Sequence, residues 1–131
     1  MTDPHKILLS SKVIAVVGAS PNPARPSHWI SKYLISEGYT VIPVNPGQDE
    51  LFGLKCFPDV ESIDSDIDIV NIFRRSDHVV PIVESALKNK SLKLVWMQDN
   101  VYNEDAAKLV REAGIPVVMN DCIYRVHHQI S

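Results

Sequence analysis

The stretch Gly18-Ala19-Ser20-Pro21-Asn22-Pro23-Ala24-Arg25-Pro26-Ser27 is the part of the chain best equipped for chemistry. It follows the apolar run Val13-Ile14-Ala15-Val16-Val17 and precedes a helical pattern. A glycine directly after a buried strand lets the backbone come close to a ligand. Pro26 suits the first turn of a helix. The first N–H groups of that helix have no partner within it, and together with the helix dipole they attract anions. Arg25, beside that terminus, can add a two-pronged contact to a phosphate. One glycine alone would read as a plain strand-to-helix turn. Glycine, serine, arginine and a helix N-terminus together favour phosphate binding. The loop is not a P-loop, because no Gly-Lys-Ser/Thr follows, and it is not G-x-G-x-x-G.

Other candidate residues stand where later apolar runs stop. Thr40-Val41-Ile42-Pro43-Val44 ends in Asn45-Pro46, without the acidic residue that grips a ribose in nicotinamide enzymes. The run Ile67 to Phe73 ends in Phe73-Arg74-Arg75-Ser76-Asp77, where adjacent arginines form a second cationic clamp or a solvated loop. The run Leu92 to Met97 ends in Trp96-Met97-Gln98-Asp99-Asn100. Trp96 fits a core position, and Gln98 is better placed to face a ligand. The segment Asn120 to His128 holds Cys122, His127 and His128, but zinc needs three or four ligands and no second cluster is visible. A Cys-His dyad needs contact between its members. The favoured reading here is a buried thiol and a surface histidine.

These residues need a scaffold that gathers strand ends on one side. Four apolar runs, and a fifth at Ile115 to Met119, are short and rich in β-branched residues, as strands buried on both faces are. Leu54-Lys55-Cys56-Phe57 reads as a short edge strand ended by Pro58. Helical patterns lie at Ser27 to Glu37, Asp77 to Lys88 and Asn103 to Ala113, with a short one at Pro4 to Leu9. Gly38 and Gly114 are plausible stops, and Asn103-Glu104-Asp105 is good N-terminal chemistry. Alternating strands and helices predict an α/β fold, a Rossmann-like parallel sheet of five or six strands with helices on both faces. Ligands on such sheets bind at the carboxyl ends of the strands, near the switch in strand order.

Composition bounds the rest. The chain has 131 residues, enough for one domain (1–131) with a real core. Its net charge of −3 lacks the basic field of non-specific nucleic-acid binding. Two cysteines do not make a disulfide scaffold. No apolar run approaches the roughly 20 residues of a membrane span, and Ile7-Leu8-Leu9 carries no cleavage-type signal. Cytoplasm is the expected location. No internal repeat, low-complexity tract or interdomain linker stands out.

Taken together, VVGASPNPARPSHWISKYL, GYTVIPVNP, DIVNIFRRSDHVVPIVESAL and LKLVWMQDNVYNEDAAKLVREAGIPVVMNDC cover nearly the whole chain from Lys12 on. In these stretches the chain resembles the small CoA-binding domain proteins, relatives of the N-terminal domain of the succinate–CoA ligase alpha subunit. The resemblance implies a Rossmann-like fold and coenzyme A as ligand. It implies that Gly18, Ala19, Ser20 and Arg25 line the phosphate loop and that Asn45 and Pro46 lie near the adenosine. It also implies that Phe73, Arg74 and Arg75 close over the nucleotide, with Trp96 and Gln98 on the adjacent wall. In one place the chain departs from the family, which commonly has an acidic residue directly before the C-terminal histidine. Here Val126 precedes His127.

Four functions follow as expectations, the last of them a pure interaction domain with no ligand. The first is a non-catalytic module that binds CoA or an acyl-CoA. The second is an NAD(P)-binding oxidoreductase, which lacks both fingerprint residues. The third is a subunit of an acyl-CoA ligase, which needs a larger enzyme partner because the chain is too short for an ATP-grasp domain. A homo-oligomer is compatible with any of them.

Overall fold

A computed structural model describes residues 3–131, and Met1 and Thr2 lie outside it. Five parallel strands form the central sheet: β1 (Val13–Val17), β2 (Thr40–Val44), β5 (Ile69–Ile72), β6 (Leu94–Met97) and β7 (Val117–Val118). Their order is β2-β1-β5-β6-β7. A separate antiparallel hairpin joins β3 (Glu50–Leu51) to β4 (Leu54–Lys55). Five helices complete the fold: α1 (Pro4–Ser10), α2 (Pro26–Ser36), α3 (Val79–Ala86), α4 (Glu104–Glu112) and α5 (Ile123–Ile130). The α/β expectation therefore holds, with five strands in the sheet.

The strands β1, β5 and β6 are buried almost throughout, so both faces must be covered. Alternation along each strand divides the core in two. Ala15, Val17, Val70, Ile72, Val95 and Met97 face the side covered by α3 and α4, where Val79, Val83, Ala86, Ala106 and Val110 meet them. Ile14, Val16, Ile69, Leu94 and Trp96 face the opposite side, where Leu8, Ile30, Leu34, Ile123 and Val126 come from α1, α2 and α5. Pro43 is tolerated because β2 is an edge strand of this sheet.

Three regions differ from the reading of the sequence. The segment expected as a single edge strand, Leu54 to Phe57, is split. Leu54–Lys55 pairs with Glu50–Leu51, while Phe57 makes an isolated parallel bridge to Val44. Phe52 and Gly53 form the hairpin turn with positive φ at both positions (57° and 72°), as a type I′ turn requires. The segment after Cys122 is a helix, α5, whose buried residues Ile123, Val126 and His127 share one face. The helix expected over Asp77 to Lys88 begins as a 3-10 turn, Ser76–His78, and continues as α3.

The chain leaves β1 for β2 on one side and later returns to β5 on the other. The carboxyl ends of β1 and β5 thus flank the point where strand order reverses, the crevice in which α/β sheets hold ligands.

Candidate functional site

At that crevice Gly18 continues β1 by one residue, donating from its N–H to Val44 O at 2.9 Å. Its φ of +88° is one that residues with a side chain rarely adopt. A Cβ built on Gly18 would lie 2.4 Å from Phe73 O, so glycine is needed here for the contact between the ends of β1 and β5 as well as for the turn.

The following loop is braced by its own side chains. Ser20 Oγ accepts from Asn22 N at 3.1 Å, and Asn22 Oδ1 accepts from Ala24 N at 3.0 Å. His28 Nδ1 donates to Ser20 O at 2.8 Å, tying the loop to α2, and Phe52 packs edge-on against the His28 ring. Asn45 Nδ2 donates to Ala19 O at 2.8 Å, while its Oδ1 accepts from Gly47 N at 2.8 Å. Asn45 is thereby a latch between the ends of β1 and β2.

The helix behind the loop is uncapped. Arg25 stands at its N-cap without a side-chain hydrogen bond, Pro26 opens it, and its first turn has no acidic residue. Among the described residues, the N–H groups of Ala19 and Ser20 have no backbone partner either. Open donors and a positive dipole end form an anion-binding surface.

A cleft of about 500 Å³ lies over these groups. Gly18, Ala19, Ser20, Arg25, Asn45, Phe73, Arg74, Arg75 and Gln98 line it, and so do Pro26, Ser27, Asp99, Asn100 and Val101. The structure thus gathers nine of the eleven residues singled out in the sequence into one cavity. Pro46 lines a second cleft of about 440 Å³, with Val44, Pro58, Val60, Pro81, Ile82 and several polar side chains. Gly18 and Arg74 border both clefts. Arg74 Nη2 donates to His78 Nδ1 at 3.2 Å, which orients the guanidinium at this boundary. Arg75 is exposed and makes only a loose ion pair with Asp77, at 3.6 Å, so its charge is available to a ligand.

Trp96 is a correction to the wall expected from the resemblance. Its side chain is completely buried on the α1/α2/α5 side of the sheet, and Nε1 donates to Asp121 O at 2.9 Å. A strand side chain points to one face of the sheet rather than along the strand, so Trp96 supports the wall from beneath without lining it. Gln98 does reach the cleft. It is 4% exposed, and its Oε1 accepts from Ile123 N at 2.9 Å, meeting one of the unpaired donors of α5.

His127 is a second correction. It is buried, 5% exposed, and its Nδ1 lies 2.6 Å from Tyr33 Oη. Tyr39 packs edge-on against the His127 ring. Burial holds the His127 pKa below the ordinary histidine value, with Glu37 opposing and His128 adding to the shift. Cys122 is a free, buried cysteine, as expected, and sits at the N-cap of α5.

Sequence reasoning passed over Asp99, Asn100 and Val101 as lining residues and Arg125 as their neighbour. Asp99 and Asn100 stood beside Gln98 in the same strand-end segment, a signal that could have marked them. Arg125 lies on the unrecognised helix α5, where no local pattern marked it.

Known proteins are similar to this chain in sequence and fold. An uncharacterized protein of Bacillus subtilis, YneT, is 43% identical over 126 residues, covering 96% of this chain and 92% of that protein. An ADP-forming acetate–CoA ligase of Archaeoglobus fulgidus is 29% identical over 134 residues; the match covers 95% of this chain but only 19% of the ligase. The solved structure of a hypothetical protein from Pyrococcus horikoshii superposes with a TM-score of 0.92 at 42% identity, covering 95% of this chain and 87% of that one. Residues 12–128 match the sequence model of the CoA binding domain, and the chain belongs to that family.

Proposed function

We propose that this chain binds coenzyme A at the carboxyl ends of β1, β5 and β6, as a cytoplasmic single-domain binding or regulatory module rather than a catalyst. One observation carries the reading. A strand ending in glycine, an uncapped helix N-terminus and three arginines share a single cleft. That donor set fits the pyrophosphate of a nucleotide. In this reading Ala19, Ser20, Ser27 and Arg25 hold the pyrophosphate, and Arg74 or Arg75 serves the 3′-phosphate. The adenosine lies toward Asn45 and Pro46, beside the more apolar second cleft. Coenzyme A would supply a thiol able to carry an acyl group. All the anchoring groups named here act on its nucleotide end, so free CoA and an acyl-CoA are held alike. A larger enzyme partner fits the relation to the acetate–CoA ligases, of which the matched region is a small part.

Calorimetric titration with CoA, dephospho-CoA and NAD tests the reading. CoA is expected to bind most tightly. Loss of the 3′-phosphate should weaken binding by about ten- to a hundredfold, the scale of one charge-assisted contact. NAD binding as tightly as CoA would overturn the assignment.

A further inference from the structure

Asp99 is the only carboxylate among the described residues lining the anion cleft. On the charge of its lining alone, it opposes the ligand that the arginines attract. Its carboxylate is occupied, however. Arg125, on α5, donates from Nη2 to Asp99 Oδ1 at 2.9 Å and from Nη1 to Asp99 Oδ2 at 3.2 Å. The same Nη2 donates to Asp121 Oδ1 at 2.8 Å. One guanidinium therefore bridges two acids beside the cleft, in the planar fork that lysine cannot make.

The placement of Arg125 is fixed from below. Trp96 Nε1 donates to Asp121 O, Asp121 Oδ1 accepts from Cys122 N at 2.8 Å, and Gln98 Oε1 accepts from Ile123 N. The first turn of α5 is thus held against the ends of β6 and the cleft wall. The three charged side chains are each about half exposed, and exposed ion pairs of this kind add little to folding stability. Their stronger consequence is on the field in the cleft, because a like charge within a Debye length, about 8 Å at physiological salt, repels an incoming polyanion.

We propose that Arg125 is a specificity-determining residue of the cleft: by offsetting one of the two negative charges of Asp99 and Asp121, it makes the β6 wall more compatible with a polyanionic ligand. This rests on the reading of the cleft as a CoA site.

The experiment compares the natural sequence with Arg125→Gln, Asp99→Asn and the double variant Arg125→Gln/Asp99→Asn. Each is titrated calorimetrically with inorganic pyrophosphate and with CoA at low and high salt, and thermal unfolding is followed in parallel. Arg125→Gln should weaken both ligands roughly three- to tenfold at low salt, the scale of one more uncompensated, partly exposed charge. The loss should shrink as salt is raised. The double variant should return to within about twofold of the natural affinity, and Asp99→Asn should bind at least as tightly as the natural sequence. Arg125→Lys keeps the charge and should stay within about threefold, which covers the case that Arg125→Gln folds poorly. Unchanged affinity in Arg125→Gln at low salt would overturn the proposal. So would a double variant as weak as Arg125→Gln, because the lost contact would then be one to the ligand itself. If the natural protein binds pyrophosphate but not CoA, the CoA reading falls while the pyrophosphate series still decides the role of Arg125. A natural protein that binds neither ends both.

Discussion

The two ends of the parallel sheet are built from opposite chemistry. At the amino ends, donors are met by protein. Asp68 Oδ2 accepts from Lys12 N at 2.8 Å and Val13 N at 3.0 Å, and Lys93 Nζ approaches its other oxygen at 3.4 Å. Ser91 Oγ accepts from Ile67 N at 2.8 Å, and Tyr39 O–H donates to Leu8 O at 2.6 Å. At the carboxyl ends the loop after β1 leaves N–H groups open, α2 begins without a cap, and Arg25 and Arg75 are exposed. Strand geometry is the same at both ends. Side chains decide which end is sealed for stability and which is kept open for a ligand, and the open end forgoes hydrogen bonds that a sealed one would make.

The largest expected breach of this division comes from Gly18, which serves both purposes. Gly18→Val forces a side chain against the Phe73 carbonyl and into a backbone conformation that valine avoids. A loss of about 4 kcal/mol or more is expected, the scale of combined overpacking and backbone strain, together with loss of CoA binding. Denaturant unfolding measures the first and calorimetry the second. A stable Gly18→Val protein with normal affinity would refute the geometry.

Asp68→Ala should strike the sealed end alone. Partial burial pushes the Asp68 carboxyl up, but the two N–H donors and Lys93 more than offset this and hold it below the ordinary carboxylate range. Removing it costs two charge-assisted hydrogen bonds, at about 2–4 kcal/mol together. The sign with pH follows from the depressed native pKa. The stability that Asp68 contributes is full above its unfolded value of about 4 and fades as pH falls through the native value. Asp68→Ala should therefore flatten that part of the acid limb in urea midpoints measured between neutral and acidic pH, with CoA affinity unchanged. Weakened CoA binding in a folded Asp68→Ala protein would contradict the separation of the two ends.

Arg25→Ala should strike the open end alone, with the smallest effect of the three. Binding is expected to weaken by about 1.5–3 kcal/mol, with Arg25→Lys recovering only part and the melting temperature unmoved. Calorimetry and thermal unfolding of the same preparations decide it. Unchanged affinity in Arg25→Ala would remove Arg25 from the site.

Most of the sheet was legible because each buried strand is a short β-branched run, and burial on both faces leaves that signature undiluted. The hairpin was less legible. Its two-residue strands carry no period, and the turn depends on positive φ at Phe52, which nothing in that side chain announces. Helix α5 was hidden by length and composition. Its eight residues include two histidines, and chemistry-bearing side chains drew the eye from the apolar spacing of Ile123, Val126 and Ile130. In the candidate site, Arg25 and the Gly18 loop were local features and readable as such. For Trp96 the residue type pointed to the core, where it lies; only the resemblance put it on the wall, and a position near a strand end does not say which face the side chain takes. Arg125 could not be found at all, since its partnership with Asp99 spans 26 residues and depends on how α5 docks.

Arg74 stands between the two clefts like a post in a doorway, and with Gly18 it is a boundary they share. A molecule that enters both hollows must therefore pass round it. On the proposed reading, a coenzyme A that filled both hollows would therefore have to bend at this point.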